Sequence, residues 1–206
     1  ASAMWPAGGA GVAPTYFGLW FDGTDDYVGK DTGLTGGGEF GATTISSAFF
    51  LNALPGVAAV VHSLGGAAYR ALILASGELA LNGSIGTGVT ISTGVRYNIE
   101  IDFDASGNGK VVRLNGSSVW TGTATFFSNT NGRFRVGTRD GGTAGLFFNG
   151  WIASVSITGS YALSWLGTGT ADADWLDQTG NARNGTVSGS PARAVSYDGG
   201  VTWAQE

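Results

Sequence analysis

Between Arg96 and Asp104 the side chains alternate in character. Tyr97, Ile99, Ile101 and Phe103 are apolar, while Asn98, Glu100, Asp102 and Asp104 are polar. Successive residues of an extended chain point to opposite faces, so this period of two predicts a strand with one face in a core and one face open. The same period runs through Phe17, Leu19 and Phe21, and through Thr43, Ile45, Ser47, Phe49 and Leu51. It returns at Phe134 and Val136 between Arg133 and Arg135, and at Trp151, Ala153, Val155 and Ile157. Turn signals separate these runs. Asn-Gly stands at Asn82-Gly83, Asn108-Gly109, Asn115-Gly116, Asn131-Gly132, Asn149-Gly150 and Asn184-Gly185. Both residues of that pair tolerate positive φ, which type I′ hairpins require. Asn115-Gly116, between Val111–Leu114 and Ser117–Thr121, is the clearest case. No amphipathic helix exceeds about two turns, a length that is marginal in isolation. Strands at about 8–12-residue spacing without helical crossovers predict an antiparallel two-sheet sandwich. No repeat of about 20–50 residues is present, which argues against a propeller or solenoid. Residues 1–15 are small, Gly/Ala-rich and aperiodic, and read as an N-terminal arm.

Composition narrows the function classes. A chain of 206 residues fits one large all-β domain. Its 37 glycines follow no three-residue period, which excludes collagen. A net charge of −5 and a pI near 4.7 repel phosphate backbones, so nucleic acid is not an expected partner. With no cysteine, stability must come from packing or from partner subunits. Charged residues make up only 12% of the chain, including just two lysines, Lys30 and Lys110, and such a surface suits coverage by neighbouring copies. No segment reaches the roughly 18 apolar residues of a membrane helix, and the most apolar region, Ala53 to Ala75, is broken by Pro55, His62 and Arg70. The start, Ala-Ser-Ala-Met-Trp-Pro, lacks a signal peptide's basic and apolar regions, so the chain reads as a complete protein made in the cytosol.

Three stretches in order resemble the laminin-G-like, concanavalin A-like lectin/glucanase jelly-roll superfamily. Leu19-Trp20-Phe21-Asp22-Gly23-Thr24-Asp25-Asp26-Tyr27-Val28 looks like its opening strand and turn. Tyr97 to Asp104 with Leu114-Asn115-Gly116 is similar to its middle strand and hairpin, and Val136-Gly137 with Phe148-Asn149-Gly150-Trp151-Ile152 to its closing strands. The family's acidic residues after that isoleucine are replaced here by Ala153 and Ser154, which weakens any inherited metal contact. Trp175 to Asn181, continuing through Asn184 to Gly189, resembles a segment that often precedes such domains but here follows the jelly roll. The resemblance is to composites found in bacteriophage virion proteins. Ser196 to Trp203 matches an Asp-box hairpin, in which Asp198 would accept turn N–H groups and Trp203 would pack beneath.

Candidate chemistry is sparse. Glu100, Asp102 and Asp104 share one strand face, neighbours about 7 Å apart. In the glucanases of the resembled superfamily, such carboxylates are catalytic; a solvated strand face is the plainer reading. His62, the single histidine, sits in an apolar run and reads as structural, and with one histidine a His-rich metal site is excluded. Asp22, Asp25 and Asp26, and likewise Asp172, Asp174 and Asp177, are the oxygen clusters a structural calcium would use, but without EF-hand spacing solvated turn acids are the plainer reading. Trp20, out of phase with Phe17, Leu19 and Phe21, and Trp120, after the hairpin, are candidates for stacking on sugar.

These readings give an all-β, concanavalin A-like jelly-roll sandwich over 16–158, with a C-terminal extension over 159–206 whose terminal hairpin packs on the domain or a neighbour. The expected function is a non-enzymatic bacteriophage virion structural protein, a capsid decoration or tail/fibre surface component. Its expected partners are other virion proteins and copies of itself, with no catalytic residue, cofactor, nucleic acid or membrane. The alternatives are a carbohydrate-binding module for host-surface glycans, with Trp20, Trp120, Glu100 and Asp102 as ligand contacts, and a glycoside hydrolase using Glu100 with Asp102 or Asp104.

Overall fold

The computed structural model describes residues 16–31, 41–64, 71–81, 85–125, 133–138, 146–159, 161–167, 170–197 and 203–205. The N-terminal arm, the hairpin signals at Asn82-Gly83 and Asn131-Gly132, and Asp198 lie outside them.

Among the described residues, sixteen strands form two antiparallel sheets. The first contains β1 (Tyr16–Asp22), β3 (Thr43–Leu51), β8 (Arg96–Phe103), β9 (Gly109–Leu114), β10 (Ser117–Ala124), β12 (Asn149–Gly159), β13 (Leu163–Trp165), β15 (Ala192–Ser196) and β16 (Ala204–Gln205). Its order is β10-β9-β8-β3-β12-β1-β15-β16, with β13 paired to β12. The second contains β2 (Tyr27–Asp31), β4 (Ala58–Leu64), β5 (Ala71–Leu74), β6 (Glu78–Leu81), β7 (Ile85–Thr90), β11 (Arg133–Val136) and β14 (Thr186–Ser188), in the order β14-β2-β11-β4-β5-β6-β7.

The alternating apolar residues meet between the sheets. Leu19, Phe21, Ile45, Phe49, Ile99, Ile101, Ile152 and Ile157 pack against Val28, Val61, Ile73, Leu79, Phe134 and Val136. Phe148 stands edge-on to both Phe21 and Phe49, with ring centroids 6.4 and 6.0 Å apart. Each fully buried side chain of this size contributes about 1.5–3 kcal/mol.

Strands formed by the described residues beyond 158 are woven into both sheets. β13 pairs with the second half of β12, β14 with β2, and β15 with β1. Tyr161, Leu163, Trp165 and Trp175 belong to the main core. Asp177 holds this segment in place by accepting from the N–H groups of Ser164, Thr179 and Arg183.

One irregularity shapes the first sheet. β12 bulges at Ser154, which takes φ +39°, and its neighbour changes there from β1 to β13. A bulge inserts one residue, bends the strand and re-aims side chains.

Candidate functional site

The outer face of the first sheet, away from the core, is ordered in rows. Register places Arg113, Glu100, Ser46, Ser156 and Ser164 side by side across β9, β8, β3, β12 and β13. The adjoining row holds Asp102, Thr44 and Thr158. On the other side come Asn98, Ala48 and Ala153, then Arg96, Phe50, Trp151 and Trp20. Hydroxyl and charged groups thus give way to a floor of small side chains and then to an aromatic row.

Within the polar rows, Arg113 Nη2 lies 2.7 Å from Asp102 Oδ2, and Arg113 Nη1 lies 3.8 Å from Glu100 Oε2. Thr44 Oγ1 donates to Asp102 Oδ1 at 2.8 Å. Ser46 and Ser156 share a hydroxyl hydrogen bond of 2.7 Å. The Arg113 hydrogen bond, helped by Thr44, holds the Asp102 carboxyl below its ordinary range. The Asn108 backbone N–H, with further donors, lowers Asp104 to about 2. Asp104 caps its turn through the N–H groups of Ser106 and Asn108 and pairs with Lys110 at 3.2 Å. Both aspartates are therefore held ionised, so neither is a glycosidase's general acid, which must keep its proton near neutral pH.

The bulge turns this face into a cleft of about 450 Å³. Its lining includes Ser46, Asn98, Glu100, Ser156 and Ser164, with Leu166 as a half-exposed apolar wall.

The structure brings Glu100, Asp102 and Trp20 to this one face. Trp20 is half-buried at the end of the aromatic row, 6.4 Å from Phe50. Phe50 and Trp151 of that row join Trp203 in a small second core in which all three are buried, and the Trp203 and Trp151 ring centroids lie 3.8 Å apart. Trp203 arrives on the terminal hairpin of β15 and β16. Trp120 is not part of this face. A register shift between Ser118 and Trp120 sets it opposite core residue Val112, and it packs against the core over Gly122. Sequence reasoning missed Ser46, Ser156, Ser164 and Arg113. The polar phase of Asn98, Glu100 and Asp102 marked an open face, but not which residues of other strands would share it.

The two aspartate clusters serve turns. Asp22, Asp25 and Asp26 bring carboxylate oxygens within 4.8 Å of one another. Buried Asp26 accepts from the N–H groups of Asp22 and Ser190, one per oxygen, and Asp22 accepts from Thr24 N–H. Those bonds tie the β1–β2 turn to the C-terminal segment, and a calcium ion would have to share these oxygens. Asp172, Asp174 and Asp177 diverge, accepting from the N–H groups of Val187, Ala171 and Ser164 respectively.

No protein-family model matches the chain, and no match was found among curated proteins. Solved structures do match. A candidate carbohydrate binding protein from Bacteroides ovatus is similar over 89% of this chain, with a TM-score of 0.62 and 15% identity. The chain spans 60% of that structure's length. A native heptameric SAP-like pentraxin from Limulus polyphemus is similar over 88% of this chain and 96% of its own, with a TM-score of 0.56 and 13% identity. At such identities the likeness speaks for fold alone, and with the strand order above it makes this chain an antiparallel two-sheet jelly-roll sandwich.

Proposed function

We propose that this protein binds carbohydrate in the cleft on the outer face of its nine-stranded sheet and performs no chemistry there. The observation that carries this reading is the row Arg113–Glu100–Ser46–Ser156–Ser164, set beside the small side chains of Asn98, Ala48 and Ala153. Sugars present alternating hydroxyls and apolar ring faces. Hydroxyl, amide and carboxylate groups on a floor of small side chains can exchange hydrogen bonds with the hydroxyls, while Leu166 offers apolar surface at the margin. The carbohydrate-binding description of the Bacteroides ovatus structure points the same way. Against hydrolysis, Asp102 is tied up by Arg113 and Thr44, and Asp104 by its own turn.

Glycan-array binding followed by calorimetry on the hits tests this reading. Binding without hydrolysis is expected, weakened about thirtyfold in Glu100→Gln combined with Ser156→Ala, at about 1 kcal/mol per lost hydrogen bond. Silence on the array at high protein concentration, or binding indifferent to that double variant, would refute it. A place on a phage particle and self-assembly are supported by the sequence resemblance and the weakly charged surface. Mass spectrometry of virions and light scattering of the purified protein test them.

A further inference from the structure

The cleft on the nine-stranded sheet has one apolar end, built by two tryptophan–leucine pairs. Trp165 and Trp175 are buried in the main core, edge-on to one another with ring centroids 5.8 Å apart. The Trp165 indole N–H also donates to the Arg183 carbonyl at 2.8 Å. Successive residues of a strand point to opposite faces, so Leu166, after Trp165, turns outward. Leu176, extended at φ −69° and ψ 140°, does the same after Trp175. The two leucines are 55% and 46% exposed, although the tryptophans beside them are buried. Trp165 pairs with Asp177 in an antiparallel bridge, and the Gln178 N–H donates to the Ser164 carbonyl at 2.9 Å. The same register sets Leu166 and Leu176 side by side.

The β12 bulge joins this apolar end to the polar row. Ser154 takes φ +39°, a region that side chains other than glycine rarely adopt, and donates its N–H to the Leu166 carbonyl at 3.2 Å. Ser154 is exposed and lines the cleft together with Ser164 and Leu166. Two hydroxyls, each able to donate and to accept, thus border the leucines. From Ser164 the row runs through Ser156 and Ser46 to Glu100. That is three strand spacings, about 14 Å at about 4.8 Å each. Among the described residues that line the cleft, Glu100 is the one that carries a charge.

We propose, resting on the carbohydrate reading above, that this end of the cleft selects a neutral sugar bearing an acetamido group, an N-acetylhexosamine, over the same sugar bearing a hydroxyl. An acetamido group presents an N–H donor, a carbonyl acceptor and a methyl in one planar unit. The hydroxyls of Ser154 and Ser164 can meet its two polar atoms while Leu166 and Leu176 cover its methyl. A sugar hydroxyl offers the serines a partner but leaves both leucines in water. Removing about 55 Å² of methyl and leucine surface from water is worth about tenfold in affinity. Glu100, at the far end of the row, repels a carboxylate or sulfate on the sugar and so sets the class as neutral. The length of the row leaves room for further sugar rings between the leucines and Glu100.

A glycan array followed by calorimetry on the full chain tests the proposal, using pairs of probes that differ in the acetamido group. The pairs are diacetylchitobiose with cellobiose, N-acetyllactosamine with lactose, and methyl N-acetylgalactosaminide with methyl galactoside. In at least one pair the acetamido member is expected to bind about tenfold more tightly than its partner. Sialylated N-acetyllactosamine should bind no more tightly than the neutral form. Leu166→Ser and Leu176→Ser, both at half-exposed positions, should each cut the ratio within that pair to about threefold or less and keep the parent's melting curve. Leu54→Ser, at a half-exposed leucine in the loop between β3 and β4, should leave the ratio at about tenfold. Several results would overturn the proposal and leave the carbohydrate reading standing: acetamido probes silent while other glycans bind, equal binding within every pair, or a sialylated form that binds more tightly. A ratio unmoved by both cleft variants, or cut equally by Leu54→Ser, would do the same. An array with no hit at all would sink both.

Discussion

Acid should weaken this protein through one side chain before its carboxylates titrate. His62 on β4 is fully buried, with strand neighbours Ala71 and Val136, both core residues. Neither ring nitrogen has a hydrogen-bond partner. Burial lowers its pKa from 6.5 to about 4. Near pH 7.5 the imidazole is neutral in both folded and unfolded chains, and titration costs nothing. As pH falls below 6.5 the unfolded chain takes up a proton that the folded protein refuses until about pH 4. Stability is lost across that window. At pH 4.5 the loss amounts to about 2.5 kcal/mol, at 1.36 kcal/mol per pKa unit. The carboxylates whose pKa values are lowered, Asp102, Asp104 and Asp177, draw stability from a window below 3.8 and do not contribute here. Asp26, raised by burial, works in the opposite direction as pH falls. Urea denaturation at pH 7.5 and 4.5 measures the difference. His62→Leu, similar in volume and without polar atoms, should change stability at pH 7.5 by less than about 1.5 kcal/mol and abolish the decline toward pH 4.5. A parent protein equally stable at both pH values, or a His62→Leu variant that keeps the decline, would show that the imidazole is hydrated or paired and that the reasoning fails.

Three further substitutions test packing, two against the face of the first sheet and one in the loop between β3 and β4. Gly150 takes φ +147°, and a Cβ there would lie 2.0 Å from the Phe50 carbonyl oxygen, so Gly150→Ala should cost more than about 3 kcal/mol and lower the melting temperature by about 10 °C. Gly56→Ala, where a Cβ meets nothing within 4 Å, should stay within about 0.5 kcal/mol in the same melting experiment. Trp203→Ala should remove the cover from Trp151, costing about 3 kcal/mol and shifting tryptophan emission to the red; an unshifted spectrum would mean that Trp151 is buried without it.

The sequence alone determined what is local. Alternation in Arg96–Asp104, Thr43–Leu51 and Trp151–Ile157 marked β8, β3 and much of β12, because each residue's face in an extended chain depends only on its immediate neighbours. Asn115-Gly116 marked a hairpin whose residues take φ +52° and +80°, since backbone sterics at two positions decide that turn. The same dipeptide at Asn149-Gly150 became the start of β12 instead, because pairing with Asp22 and Phe21 outweighed its turn preference. Tertiary structure decided which open faces meet. Ser46 and Ser156 are 110 positions apart, and their contact depends on strand register, as does Arg135 lying across Gly29. A one-residue bulge places Trp120 on the core side while Glu100 and Asp102 face outward. Strands β14 and β15 likewise joined the two sheets because edge strands β2 and β1 offered unpaired backbone, and the core had room for Trp165 and Trp175. Local alternation can say that a face is open; only pairing across the whole chain says what stands beside it.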